Sequence, residues 1–111
     1  MIDTLTVETQ RGNGFAIVKC RGRLVAGSCG LLYDEVRRLL PGTSRIIVDL
    51  EELTQVDSMG LATIVRAYVS ARSDGSSVEL MNVGKKIREV LKITHLLSVF
   101  SIVGENGIRL H

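Results

Sequence analysis

The chain has 111 residues, 45% of them apolar and 23% charged, with one proline and a net charge of +2. That size and balance predict a single soluble domain over residues 1–111 and exclude long disordered or collagen-like tracts. So small a charge, with 4% aromatic residues and no tryptophan, argues against a nucleic-acid partner, which needs a clustered basic surface or stacking rings.

Residues 4–9 (TLTVET) alternate apolar and polar side chains, as does Phe15 to Lys19, with the turn residues RGNG between them. This pattern predicts a hairpin. Gly22 to Gly27 is punctuated by glycine. Ser28 then stands where a helix N-cap belongs, ahead of Leu31, Leu32, Val36, Leu39 and Leu40 at helical spacing, and Pro41-Gly42 stops that helix. RIIVDLEEL at 45–53 has the β-branched run of a strand covered on both faces, which belongs in the middle of a sheet. A second helix is expected from near Ser58 to about Arg72, with Leu61, Ile64, Val65, Tyr68 and Val69 as its apolar stripe, before the SDGSS turn at 73–77. SVELMNV at 77–83 reads as another strand, so residues 45–83 form a strand-helix-strand crossover of right-handed sense. A short amphipathic helix, Lys85 to about Lys92 with Ile87, Val90 and Leu91 inward, and a strand near Val99 to Val103 complete a small α/β fold, helices packed on a mixed sheet.

No stretch reaches the ~18 apolar residues of a membrane-spanning helix. MIDTLTVETQRGNG lacks the basic and hydrophobic regions of a secretory signal. Cytoplasmic residence without membrane insertion is therefore expected. Cys20 and Cys29, with only His95 and His111 to join them, fit neither a disulfide framework nor a structural zinc site, so reduced thiols without a metal are expected. The pairs Arg37-Arg38 and Lys85-Lys86 read as solvated helix faces.

The chemistry converges on residues 49–61, DLEELTQVDSMGL. A buried strand ends there, and a helix opens at Asp57-Ser58-Met59-Gly60, setting a hydroxyl where backbone N–H groups lack partners. A phosphate on Ser58, with about −1.5 to −2 charges, would meet the positive pole of that helix. Asp57 would make the surface more acidic, and Gly60 would leave room for a partner to approach. The plainer alternative makes Ser58 an N-cap worth roughly 1 kcal/mol and Gly60 a packing glycine. Asp49, Glu51 and Glu52 suggest a solvated edge rather than acid–base work. Ser58, Asp57 and His95 have the residue types of a nucleophilic triad without its Gly-x-Ser-x-Gly elbow, and neither RGNG nor SDGSS has the phosphate-loop pattern. A non-enzymatic role is expected.

The order of elements, with IIVDLEELTQVDSMGLATIV at its centre, resembles the STAS domain of anti-sigma factor antagonists, whose hallmark is an apolar strand followed by Asp-Ser-x-Gly-Leu. GRLVAGSCGLLYDEV is similar to the family's Gly-x-Leu loop and first helix, and VGKKIREVLKITHLLSVFSIV to its C-terminal helix and strand. The resemblance implies that Ser58 is phosphorylated by a serine kinase that is itself the anti-sigma factor. The unmodified chain would bind that kinase and release a sigma factor, the phosphorylated chain would let go, and a phosphatase would restore it. Docking is then expected on Leu24 to Ser28 and Gln55 to Thr63, with Leu24, Val25, Ser28, Gln55, Val56, Leu61 and Thr63 as contact residues and Asp57, Met59 and Gly60 shaping the phosphosite. The family loop usually reads Gly-x-Leu-Asp, whereas here Val25 takes the place of the acid. That departure bears on kinase recognition and on whether Ser58 is modified. Neighbouring Arg23 would pair with a phosphate or with Asp57, or point into solvent. STAS-type domains also serve as accessory subunits of membrane transporters. A small-molecule or nucleotide sensor using the same groove is a further alternative.

Overall fold

The computed structural model describes residues 5–103. In chain order the elements are β1 (Leu5–Arg11), β2 (Phe15–Leu24), α1 (Gly30–Leu39), β3 (Arg45–Val56), α2 (Ser58–Ser73), β4 (Ser77–Met81), α3 (Lys85–Ile93) and β5 (Ile102–Val103). The expected start of the first strand at residue 4 lies outside the described residues, as do the ends of the proposed domain.

The alternating patterns at the front of the chain pair as expected. β1 and β2 form an antiparallel hairpin in register from Leu5 opposite Gly22 to Arg11 opposite Ala16. Gly14, at φ 82°, supplies the left-handed residue of the turn. The sheet order is β1-β2-β3-β4-β5, and every pairing after the hairpin is parallel. β3 therefore lies in the middle, where its unbroken buried run from Ile46 to Leu50 belongs. Ile46, Val48 and Leu50 join Val18, Cys20, Leu80, Leu32, Val36 and Ile64 in the core. Ile47 and Asp49, pointing the other way along the same strand, are buried but lie outside that cluster.

Two strands run further than their apolar stretches. β2 continues to Leu24 and β3 to Val56, because the two pair with each other and polar cross-strand partners sustain the ladder. Arg21 Nε lies 2.9 Å from Glu52 Oε1, and Arg23 Nε donates to Gln55 Oε1 at 3.0 Å. Register shifts between Lys19 and Arg21 and between Gly22 and Arg23, with Gly22 at φ 100°, fit the irregular sequence into the strand. β4 by contrast stops at Met81, two residues early, where Asn82 turns left-handed at φ 57° and donates its side-chain amide to Asp49 Oδ1. The last strand is only Ile102–Val103.

The helices depart from expectation in detail. α1 begins at Gly30 with Cys29 as its cap residue, so Ser28 is not the N-cap. The Ser28 hydroxyl turns back instead and donates to the Arg23 carbonyl at 2.6 Å, closing the loop on its own strand. In α2 the buried face is Gly60, Thr63, Ile64, Ala67 and Ala71. Leu61, Val65 and Tyr68 flank it, and Val69 is exposed. The buried stripe is thus rotated toward the small residues, which allow the helix to sit close to the sheet and to α1. Tyr33 Oη lies 3.0 Å from Ser70 Oγ across that helix pair, with the Arg66 guanidinium 4.2 Å from the tyrosine ring centre. α3 buries Leu91, half-buries Ile87 and leaves Val90 exposed.

Both cysteines are free and buried, and burial, with the Asp49 charge adding, pushes the Cys20 thiol up to about 12. Asp49, expected inside the apolar strand, is buried there, and its Oδ1 also accepts from the Glu51 N–H at 3.0 Å. Among the described residues no helix is long and apolar enough to cross a membrane.

Candidate functional site

Because β2, β3 and β4 are parallel, their C-terminal ends and the loops that follow meet at one edge of the sheet. Asp57 leaves β3 in an extended conformation and caps α2. Its Oδ1 accepts from the Gly60 N–H at 2.8 Å, and its Oδ2 accepts from the Ala26 N–H, in the loop after β2, at 3.0 Å. The hydrogen bond from Gly60, aided by the one from Ala26, holds the Asp57 carboxyl below its ordinary range. One carboxylate thereby fixes both the start of α2 and the neighbouring loop.

Ser58 is consequently not the cap. It is the first helical residue and exposed, and its hydroxyl has no hydrogen-bond partner among the described residues. Met59 beside it is 52% exposed, so the turn presents a hydroxyl and a thioether to any approaching surface.

Gly60 does not open space for a partner. It is buried, and a Cβ built on it would lie 2.0 Å from the Leu24 carbonyl oxygen and 2.8 Å from the carbonyl carbon. Only glycine lets the first turn of α2 press onto the end of β2. The packing alternative for Gly60 is the correct one.

The same contact corrects part of the expected docking surface. Leu24 and Thr63 are core residues, with the Thr63 hydroxyl donating to the Met59 carbonyl, and Ser28 is buried. None of the three offers side-chain surface. Val25 is half-buried. Arg23 holds Gln55 rather than simply pointing into solvent. Gln55, Val56 and Leu61 do reach a common surface, for they line a groove of about 840 Å³ together with Asp57 and Ser58.

That groove exists because β3 outruns β4. Among the described residues no strand pairs with β3 on its β4 side past Asp49, and Leu50, Leu53 and Val56 become a floor. Asp57, Ser58 and Leu61 line the groove from the start of α2, and Lys85, Lys86, Ile87 and Val90 line it from α3. Sequence reasoning missed the lining from α3. The available signal was that the turn after β4 opens at the same sheet edge as the one carrying Ser58. Among the described residues no group of acidic, histidine or cysteine side chains could hold a metal.

The fold agrees with known proteins. The family model of the STAS domain matches residues 6–107. The chain belongs to the STAS domain family. An anti-sigma factor antagonist from Mycobacterium paratuberculosis superposes with a TM-score of 0.78 at 17% identity, over 90% of this chain and 86% of that one. The anti-sigma factor antagonist SpoIIAA from Bacillus superposes in its unphosphorylated form at 0.76 and in its phosphorylated form at 0.72. Both SpoIIAA forms are 14% identical, cover 91% of this chain, and are themselves covered to 90% and 94%. The murine anion transporter Slc26a9 matches at 0.64 and 18% identity over 78% of this chain, which spans 14% of that protein. The five-stranded mixed sheet with three helices is thus the STAS fold, shared by proteins of more than one occupation.

Proposed function

We propose that this STAS domain is an anti-sigma factor antagonist, a non-enzymatic binding switch whose state is set by phosphorylation of Ser58. In the unmodified form the groove and the turn beside it bind a serine-kinase anti-sigma factor and so free a sigma factor. Phosphate on Ser58 abolishes that binding, and a phosphatase resets it. The observation that carries this reading is the exposed, unpartnered Ser58 hydroxyl on a helix start held by other residues. A phosphate added there uses none of the atoms that form the Asp57 cap or the Gly60 contact, so the surface changes charge while the fold persists. The likeness to SpoIIAA, solved in both phosphorylation states, supports it.

A dianion inside a small interface costs desolvation, and repulsion wherever the partner is acidic. A loss of about 3 kcal/mol weakens binding more than a hundredfold. Incubation with the cognate kinase anti-sigma factor and ATP should label the wild type and leave Ser58→Ala unlabelled. Ser58→Asp should bind that partner at least about a hundredfold more weakly by calorimetry. An unlabelled wild type, or an unchanged affinity for Ser58→Asp, overturns the switch. Val25, in the position of the family's loop acid, favours a second reading, an accessory domain of a membrane transporter, and that reading predicts no label at Ser58.

A further inference from the structure

The part of the groove that α3 lines carries charge where a helix ordinarily avoids it. α3 opens with Lys85 and Lys86 at its positive pole, has no acidic residue in its first turn, and gets no side-chain cap from Gly84. Cations at that end are disfavoured by the helix dipole, which favours anions there. Neither lysine has an ion-pair partner among the described residues, although Arg21, Lys19, Arg38 and Arg45 all have one. Both line the groove that Asp57 and Ser58 also line.

The two linings therefore differ in sign. Asp57 already spends its carboxylate on the Gly60 and Ala26 N–H groups, and a phosphate one residue away would be repelled by it. The pole of α2 offsets part of that repulsion; the next uncommitted positive charges lining the groove are Lys85 and Lys86. Lysine stems are long and flexible, and an ammonium group accepts any direction of approach by an anion.

Resting on the reading of Ser58 as the phosphoacceptor, we propose that Lys85 and Lys86 form an internal phosphate receptor: once Ser58 is phosphorylated, they reach across the groove to its phosphate and stopper the cavity. No bond forms or breaks in this step, which is an ion-pair rearrangement after the transfer from ATP. Release of the partner then has an intramolecular component, because the apolar floor of Leu53 and Val56 is covered by the lysine stems and the charges of Lys85 and Lys86 are neutralised. The partner needs no acidic residue opposite Ser58 for the switch to work, although one would add to it. In the unmodified form the same lysines are exposed and have no ion-pair partner among the described residues.

The test needs no kinase. Phosphoserine is placed at position 58 by genetic encoding, in the full wild-type chain and in the double variant Lys85→Gln/Lys86→Gln, and the second ionisation of the phosphate is followed by phosphorus NMR against pH. Nearby cations favour the dianion. The expected result is a wild-type midpoint about one pH unit below that of the double variant, the difference shrinking as salt is raised. Lys92→Gln, at the far end of α3, should leave the midpoint in place and reports any change due to net charge alone. Equal midpoints for wild type and double variant overturn the receptor. Such a result leaves the switch itself standing, since labelling by the kinase and the affinity of Ser58→Asp decide that separately. If Ser58 is never labelled but the midpoints differ, the switch fails while the lysine contact holds.

Discussion

Two helices begin at the same edge of the sheet, and they begin differently. α2 starts on a capping carboxylate that also ties down the loop after β2, and its third residue is pressed against the Leu24 backbone. α3 starts on a glycine with no side-chain cap, followed by two exposed lysines without ion-pair partners among the described residues. One start is fixed by short directional contacts; the other is a loosely held row of charges. The side that carries the exposed Ser58 hydroxyl is thus the one held by hydrogen bonds and backbone contact. In the switch proposed above, that division would let the start of α2 set where a phosphate stands and the lysines of α3 set what meets it.

The largest effect should come from breaking the rigid start. Gly60→Ala gains up to about 1 kcal/mol of helix propensity, but its methyl group would lie 2.0 Å from the Leu24 carbonyl oxygen, a backbone atom that cannot turn aside. The end of β2 and the first turn of α2 must separate. Overpacking of this kind costs about 3 kcal/mol, read as a lowered denaturation midpoint with an unchanged slope in urea. A loss under about 0.5 kcal/mol, within the range of ordinary surface changes, would mean that α2 is not held at this contact.

How much of this was legible beforehand follows from what each residue's position depends on. The hairpin, the central strand and the strand-helix-strand unit could be read because their apolar periods are local and strong, as in Ile46 to Leu50. Asp-Ser-x-Gly-Leu pointed to the start of α2 through its resemblance to the family's motif, not through an apolar period. The side chains within it were assigned less well. Both Asp57 and Ser58 suit a cap, and what decides between them is the Ala26 N–H, thirty-one residues away in sequence. Gly60 looked like an opening because its lack of a side chain says nothing about which atoms come near; the Leu24 carbonyl does so only once β2 has run five residues past Lys19. Leu24 and Thr63 were placed at the surface by their neighbourhood in sequence, although the packing of α2 on the end of β2 and the rotated stripe of α2 bury both. The groove was invisible for a related reason, since it requires β3 to outlast β4 and that difference is set by Asn82 turning left-handed.

Removing the cap while keeping the glycine should have a smaller effect, and one that depends on pH. The Asp57 carboxyl titrates below its unfolded value because its charged form accepts backbone N–H groups. Its contribution is therefore fully present above the unfolded carboxylate range and is lost as pH falls through the lowered folded value. Asp57→Ala should melt below the wild type at neutral pH. The gap should narrow steadily as the solution is acidified beneath the usual carboxylate range, by calorimetry at matched ionic strength. A gap independent of pH would show that the ionised cap contributes nothing and that Gly60 alone fixes the start of α2.

The smallest effect sharpens the contrast from the other side. Lys85 and Lys86 stand at the positive pole of α3 without partners among the described residues, so replacing both with glutamine removes an unfavourable interaction and no favourable one. The unmodified protein should become slightly more stable, by about 0.3 kcal/mol per lysine at low salt, and the gain should vanish when salt screens the pole. In the protein phosphorylated at Ser58 the sign should invert, because the lysines then have a dianion to hold and their removal strands it beside Asp57. Paired urea titrations of the two forms measure that inversion directly. A destabilisation of about 1 kcal/mol in the unmodified form would mean that the lysines already take part in a structural contact, and α3 would then be anchored at its start much as α2 is.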